Sequence, residues 1–184
     1  MKPYRCALHI FNRDLRLEDN TALMYALANA AEVVPCFIFE RKEADDERYV
    51  SGNALQFMIR SLEELDYELK RKGSRLYIFY GDTSAIVRAL LKELEVDLVS
   101  LQRDYTPSTI MRDAAILEVC KGKGIDCSFF GDLLINEPEM VAKDDGKPYL
   151  IFTPFFKRSR MIVARKPRKN TATNYSKPLQ NLGT

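Results

Sequence analysis

The side chains best suited to chemistry in this chain are charged and lie in two short stretches. Residues 12–20, NRDLRLEDN, hold two Arg, two Asp, one Glu and two Asn, and residues 102–107, QRDYTP, hold Arg103 and Asp104. Guanidinium–carboxylate pairs at this density fix geometry more than they add stability. Asp14, Arg16, Arg103 and Asp104 can pair with one another, with a ligand, or with a docked domain. Other chemistries find less support. The single histidine, His9, lies in an apolar run and reads as a packed residue. Cys6, Cys36, Cys120 and Cys127 show no CxxC spacing, which argues against zinc and disulfide frameworks and for buried thiols. No GxGxxG follows the first apolar run, and no GxxxxGK[ST] occurs anywhere. Asp45-Asp46 and Asp144-Asp145 fall in polar loops and read as solvated charge. These residues imply a crevice without an obvious catalytic group.

The elements that must position this crevice alternate in type. Strands are expected at 4–11, 33–39, 75–80, 97–102 and 126–130. Helices are expected at 20–31, 51–72, 83–95 and 107–121. The second helix has one apolar stripe, Leu55, Met58, Leu62, Leu65 and Leu69, and stops at Gly73. Asp82 suits an N-cap, Pro107 suits a first helical turn, and Asp19 or Asn20 starts the first helix. Pro35 mildly disfavours a central hydrogen-bonded place for the second strand. Strands without clean alternation, joined by helices, imply a parallel sheet covered on both faces. The fold class is therefore α/β, a doubly wound, Rossmann-like, five-stranded parallel sheet. With strand order 3-2-1-4-5, ligands sit where the order reverses, between strands 1 and 4. The loops there are 12–20 and 102–107.

The 184 residues are 46% hydrophobic and 29% charged, ordinary for one globular domain plus a tail. No apolar run reaches the ~20 residues of a membrane span, and no signal-peptide core opens the chain, so a cytoplasmic location is the expectation. Charge is unevenly spread. Residues 151–184 carry eight Lys or Arg and no acid, whereas residues 1–150 carry 20 basic and 26 acidic side chains. A folded body, 1–131, is thus expected before a connector and linker, 132–184. The connector includes a short helix capped by Thr153, and the last fourteen residues are expected to be loosely ordered.

FNRDLRLEDNTAL (11–23) resembles the opening signature of DNA photolyases and cryptochromes. Three further segments agree in order: 51–82, QRDYTPSTIMRDAAI (102–116) and GKPYLIFTPFFK (146–157). The resemblance implies the family's N-terminal α/β domain, which holds a light-harvesting antenna chromophore. It implies a helical FAD-binding domain beyond this chain, where photoexcited reduced flavin splits cyclobutane pyrimidine dimers in flipped-out DNA. Alone, the present residues would neither bind FAD well nor repair DNA, and they lack the tryptophans that reduce the family's flavin. Glu40, Arg41, Tyr105, Ser108 and Thr109 are the candidate antenna-binding positions. Where folate-binding members carry an Asn-Glu pair, this chain has Ser108 and Thr109, which leaves folate, deazaflavin and flavin all open. Asn12 replaces the family's Arg after the first Phe. The expected partners are the helical domain of the same parent chain and, through it, damaged DNA. The N-terminal domain of a cryptochrome light receptor and a stand-alone nucleotide-binding module are the competing functions. The cations between 157 and 169 fit an interdomain linker or a contact to phosphates, and Phe155 and Phe156 are expected to leave an exposed apolar patch.

Overall fold

A computed structural model describes residues 2–41, 51–180 and 182. Strand β1 (Tyr4–Phe11) leads through the charged loop into helix α1 (Thr21–Asn29). Then come β2 (Ala30–Glu40), α2 (Gly52–Arg71), β3 (Tyr77–Gly81) and α3 (Thr83–Glu93). The series ends with β4 (Leu98–Gln102), α4 (Pro107–Lys121) and β5 (Asp126–Phe130). A 3₁₀ turn at Pro138–Val141 and a short helix, α5 (Phe152–Ser159), follow. The strands pair in the order β3-β2-β1-β4-β5, and every pairing is parallel.

The two faces of the sheet bury separate cores. On one, Ala7 and Phe11 of β1 and Val33 and Phe37 of β2 pack against Leu23 and Leu27 of α1 and Leu62, Leu65 and Leu69 of α2. On the other, Leu8 and Ile10 and then Val34, Cys36 and Ile38 meet Val87, Leu90 and Leu91 of α3 and Ile116 and Val119 of α4. Strand residues alternate between two dry faces, which is why no polar alternation marks them in the sequence. The connections change face between β3 and β4, so the sheet opens at its carboxyl edge between β1 and β4. Gly73 adopts φ 77° just past α2, and the following Ser74 N–H returns to Leu69 O at 3.0 Å, closing the helix end.

Four expectations are corrected. Pro35 lies in an interior strand, since β2 sits between β1 and β3. It is tolerated because β3 pairs with β2 only from Cys36 onward, so Pro35 lies ahead of that ladder. The first helix ends at Asn29 and β2 begins at Ala30, earlier than the expected 33. The short helix is N-capped by Ile151, without a side-chain cap bond, rather than by Thr153. The described part of the C-terminal segment is packed, not loose. Val33 N–H donates to Asn174 O at 3.0 Å and Ser176 N–H donates to Val33 O at 2.8 Å, so the segment pairs with the half of β2 that β3 leaves open. Tyr175 joins the α1/α2 core and Leu182 the α3/α4 core, carrying the strap from one face to the other.

Candidate ligand cleft at the carboxyl edge of the sheet

Both charged loops are held at the ends of β1 and β4, and they meet. Arg13 Nε donates to Asp104 Oδ2 at 2.6 Å, and Asn12 Nδ2 donates to Gln102 O at 3.0 Å. Burial pushes the Asp104 carboxyl up, but Arg13 and the backbone N–H groups of Tyr105 and Thr106 outweigh it and hold the group below the usual carboxylate range. The partner chosen is Arg13, where the sequence pointed to Arg16. Arg16 instead reaches Asp132 after β5 at 3.4 Å and the carbonyls of Glu18 and Asp19 at 3.1 and 3.0 Å. Asn20 is the cap of α1, accepting from Leu23 N–H at 3.0 Å. Asp19 takes a left-handed φ of 51° and aims its carboxylate at Arg165 and at the Arg168 N–H, 3.0 Å away. The loop thus ties three segments together: 102–107, the turn after β5, and the strap.

Asp14 is the exception. It is 9% exposed, and neither carboxylate oxygen has a hydrogen-bond partner; Arg16 approaches only to 3.8 Å. Burial pushes its pKa up to about 7 against the pull of Arg16, with Asp132 adding to the rise. Gln102 Nε2 is likewise buried without a partner. His9, within β1, is fully buried, with Nδ1 2.9 Å from Ser100 Oγ and its pKa lowered to about 3 by burial. It stays neutral near pH 7 and cannot serve as a general acid there.

Arg103 and Tyr105 form the other rim. Arg103 pairs with Glu139 and lies 5.1 Å from the Tyr105 ring centre, and the Tyr105 hydroxyl donates to Glu137. Gly131 makes room for that carboxylate, because a Cβ there would sit 2.0 Å from Glu137 Oε1.

A cavity of about 420 Å³ opens on the α3/α4 side of the same edge. Its walls are Glu40 at the end of β2, Asp82 and Ser84 at the start of α3, and Ser108, Met111, Arg112 and Ala115 along α4. Glu40 Oε2 accepts from the Thr83 N–H at 3.1 Å and from the Thr83 hydroxyl, while Asp82 caps α3 through the Ala85 N–H at 2.9 Å. Two carboxylates therefore occupy the N-terminus of α3, which makes that wall an acceptor for N–H donors and a poor cradle for phosphate. Arg112 is held by Asp113 at 2.7 Å on the opposite wall, and Met111 and Ala115 supply the apolar floor.

Of the candidate positions, Glu40 and Ser108 line this cavity together. Thr109 is buried and its hydroxyl donates to Thr106 O at 2.9 Å, within the cap of α4. Tyr105 belongs to the Glu137 rim. Arg41 is exposed just after β2. Asp82, expected only as a cap, and Ser84, Met111, Arg112 and Ala115 were not singled out as cleft residues. The spacing 108, 111, 112, 115 is one helical face, so reading the helix period forward from Ser108 finds the α4 residues.

A doubly wound α/β domain with a ligand-sized cleft at its carboxyl edge describes a broad class of proteins; the comparisons narrow it. The DNA photolyase family model matches residues 7–173, and the chain belongs to that family. It is 31% identical over 147 residues to the deoxyribodipyrimidine photo-lyase of Agrobacterium fabrum, covering 80% of this chain and 30% of that one. It is 32% identical over 163 residues to cryptochrome-2 of Gallus gallus, covering 88% and 28%. Among solved structures it resembles the archaeal photolyase of Sulfolobus tokodaii, with a TM-score of 0.85 and 35% identity over 94% of this chain and 38% of that one. That structure holds two FAD molecules, and a novel light-harvesting cofactor is implied for it. The class III photolyase of Agrobacterium tumefaciens gives a TM-score of 0.83 at 27% identity, over 95% and 36% of the two chains. The chain spans about a third of the length of these relatives.

Proposed function

We propose that this chain is the antenna-holding N-terminal domain of a light-dependent DNA-repair lyase, with the antenna in the 420 Å³ cavity lined by Glu40, Ser108 and Met111. The observation that carries the reading is the make-up of that cavity. Acceptor carboxylates face an apolar floor, which suits a flat heterocycle presenting N–H donors. The volume is that of a small-ligand site. The bound chromophore would supply light absorption. Glu40, already fixed by Thr83, would orient it by accepting an N–H, and the Ser84 and Ser108 hydroxyls would complete the polar rim. Of folate, deazaflavin and flavin, a flavin is favoured, because the archaeal photolyase at 35% identity was solved with two FAD molecules. Thr109, committed to the α4 cap, supplies no carboxylate for a pterin.

Splitting of pyrimidine dimers would belong to a helical FAD-binding domain of the parent. The exposed apolar side chains Leu150, Ile151, Phe152 and Phe156 fit the surface on which that domain docks. The 32% identity to cryptochrome-2 supports a second reading, a light receptor without repair activity.

Adding FAD, a folate or a deazaflavin to the purified chain and following chromophore fluorescence tests the site. Flavin should bind saturably. Ala115→Phe, which fills the floor of the cavity, should abolish binding. Binding of none of the three, or equal binding by Ala115→Phe, refutes the antenna site. Repair is tested by expressing the full gene in a repair-deficient strain exposed to ultraviolet and then blue light. Failure to gain survival in blue light would favour the receptor reading.

A further inference from the structure

We propose that this domain carries its own contact to the phosphate backbone of duplex DNA, formed by the basic side of α5 and the segment that follows to Lys169. The choice of nucleic acid as partner rests on the lyase reading above; the surface itself rests on charge and helix geometry. Successive residues of a helix are rotated by about 100°. Phe152, Phe155 and Phe156 therefore share one face of α5, and Lys157 and Arg158 lie on the opposite face. The rings of Phe152 and Phe156 stack with centroids 5.8 Å apart. Ser159, on the Phe side, is tied back to the connector through Asn136, whose Nδ2 donates to Ser159 O at 3.1 Å and to its Oγ at 2.7 Å. A domain docked on the Phe face leaves the basic face outward.

The cations here are also set apart from those of the body, some of which are paired and others, such as Lys92 and Lys123, exposed among acidic residues. Arg5, Arg13, Arg16, Arg103 and Arg112 each hold a carboxylate within 4 Å. Among the described residues, Lys157, Arg158, Arg160, Lys166, Arg168 and Lys169 hold none, and all six are exposed. No Asp or Glu occurs after Asp145. Favourable interaction with the C-terminal end of α5 accounts for Lys157 and Arg158 at most, because that effect fades within the last turn. It leaves Arg160, Lys166, Arg168 and Lys169 without an intramolecular purpose. Arg165 is the contrast: it is committed to Asp19 and Asp132, and so anchors the strip to the body.

The test is fluorescence anisotropy of a labelled, undamaged DNA duplex titrated with the 184-residue chain at several salt concentrations. Saturable binding should be seen at about 50 mM salt with an affinity in the non-specific range, tighter than about 100 μM. K157E/R158E/R160E removes three phosphate contacts. The slope of log affinity against log salt should fall in magnitude by about 2.7, so between about 50 and 200 mM salt the variant should be spared a roughly 40-fold loss. K92E/K121E/K123E, on α3, on α4 and just beyond α4, should bind as the unmodified chain does. Both variants change exposed side chains only, and equal melting temperatures will verify that they fold. Absence of saturable binding at about 50 mM salt overturns the proposal. So does unchanged binding by K157E/R158E/R160E, an equal loss in the control variant, or tighter binding to anionic lipid vesicles than to the duplex. Chromophore binding by K157E/R158E/R160E should be unaltered, so failure here is distinct from failure of the antenna reading. A parent that gives no blue-light survival yet binds duplex through this strip would sink the repair reading alone.

Discussion

The two residues that most reward substitution are Asp14 and Gly131. Asp14 is a buried carboxyl with no hydrogen bond, titrating near 7 where an ordinary Asp titrates near 3.8. The raised value means that the folded state favours the neutral form. Its contribution is therefore fully present below about pH 4, is lost as the pH rises toward 7, and stays lost above that. Asn is neutral throughout. Asp14→Asn should leave the melting temperature unchanged near pH 4 and raise it progressively to a plateau above about pH 7, with an upper bound of about 4 kcal/mol. A gain that is the same at both ends of the range would contradict the burial argument. Gly131 is required for a different reason, the close approach of Glu137 Oε1. Gly131→Ala should push that carboxylate off the Tyr105 hydroxyl and cost about 1 kcal/mol. The cost should largely vanish in a Tyr105→Phe background, where that hydrogen bond is already gone. Equal costs in both backgrounds would mean that the glycine serves its backbone alone.

At the scale of elements, the strap from Arg165 to Leu182 decides how the sheet is completed. Asn174 Nδ2 donates to Leu27 O at 3.2 Å and to Ala30 O at 2.9 Å, bridging the end of α1 and the start of β2. Asn170 Nδ2 donates to Leu17 O and to the Tyr175 hydroxyl, both at 2.8 Å. Tyr175, 6% exposed, fills the α1/α2 core beside them. Tyr175→Ala should lower the unfolding free energy by about 3 kcal/mol in denaturant titration. A loosely ordered tail would give almost none of that. This segment also marks where the sequence stopped being legible. The strands, the helix faces and the Asp82 cap rest on local periodicity and on side chains that bond within three residues, so they could be read directly, whereas the strand order was that common to doubly wound sheets and the first cap was narrowed only to Asp19 or Asn20. TATNYSKPLQNLGT has no period, because its described residues are held by a single bridge to Val33 and by side-chain bonds across more than a hundred residues. Pro35 was misread for a related reason: what tolerates it is the late start of β3, a fact about a different strand. In the cleft, Glu40 and Ser108 could be found, while Asp82 and Ser84 could not, because only the crossing of β3 into α3 brings them opposite α4.

The whole molecule divides its surfaces by job. The body mixes charges of both signs and pairs several of its Arg side chains internally, whereas the strip from 157 to 169 holds no acid and leaves most of its cations outward. Before and within that strip, Leu150 is 90%, Ile151 68%, Phe152 72% and Val163 93% exposed. So many large apolar side chains in one short stretch exceed the scattered exposure usual for a monomer. None of the residues of α5 is buried, so this surface contributes little to the fold of the domain that displays it. Its stabilisation must come from association. The chain by itself is therefore expected to self-associate in a concentration-dependent way in sedimentation velocity, whereas in the parent proposed above a helical domain would cover the patch and leave the protein monomeric. Phe152→Ser with Phe156→Ser should abolish self-association of the separated chain and change its unfolding free energy by no more than about 0.5 kcal/mol, the range for exposed positions. The same pair of substitutions in the parent should loosen the two domains and raise its susceptibility to proteolysis at the strap. A separated chain that remains monomeric at every concentration, or a double variant that unfolds far more easily, would show that these phenylalanines stabilise the α/β domain itself and are not a docking face.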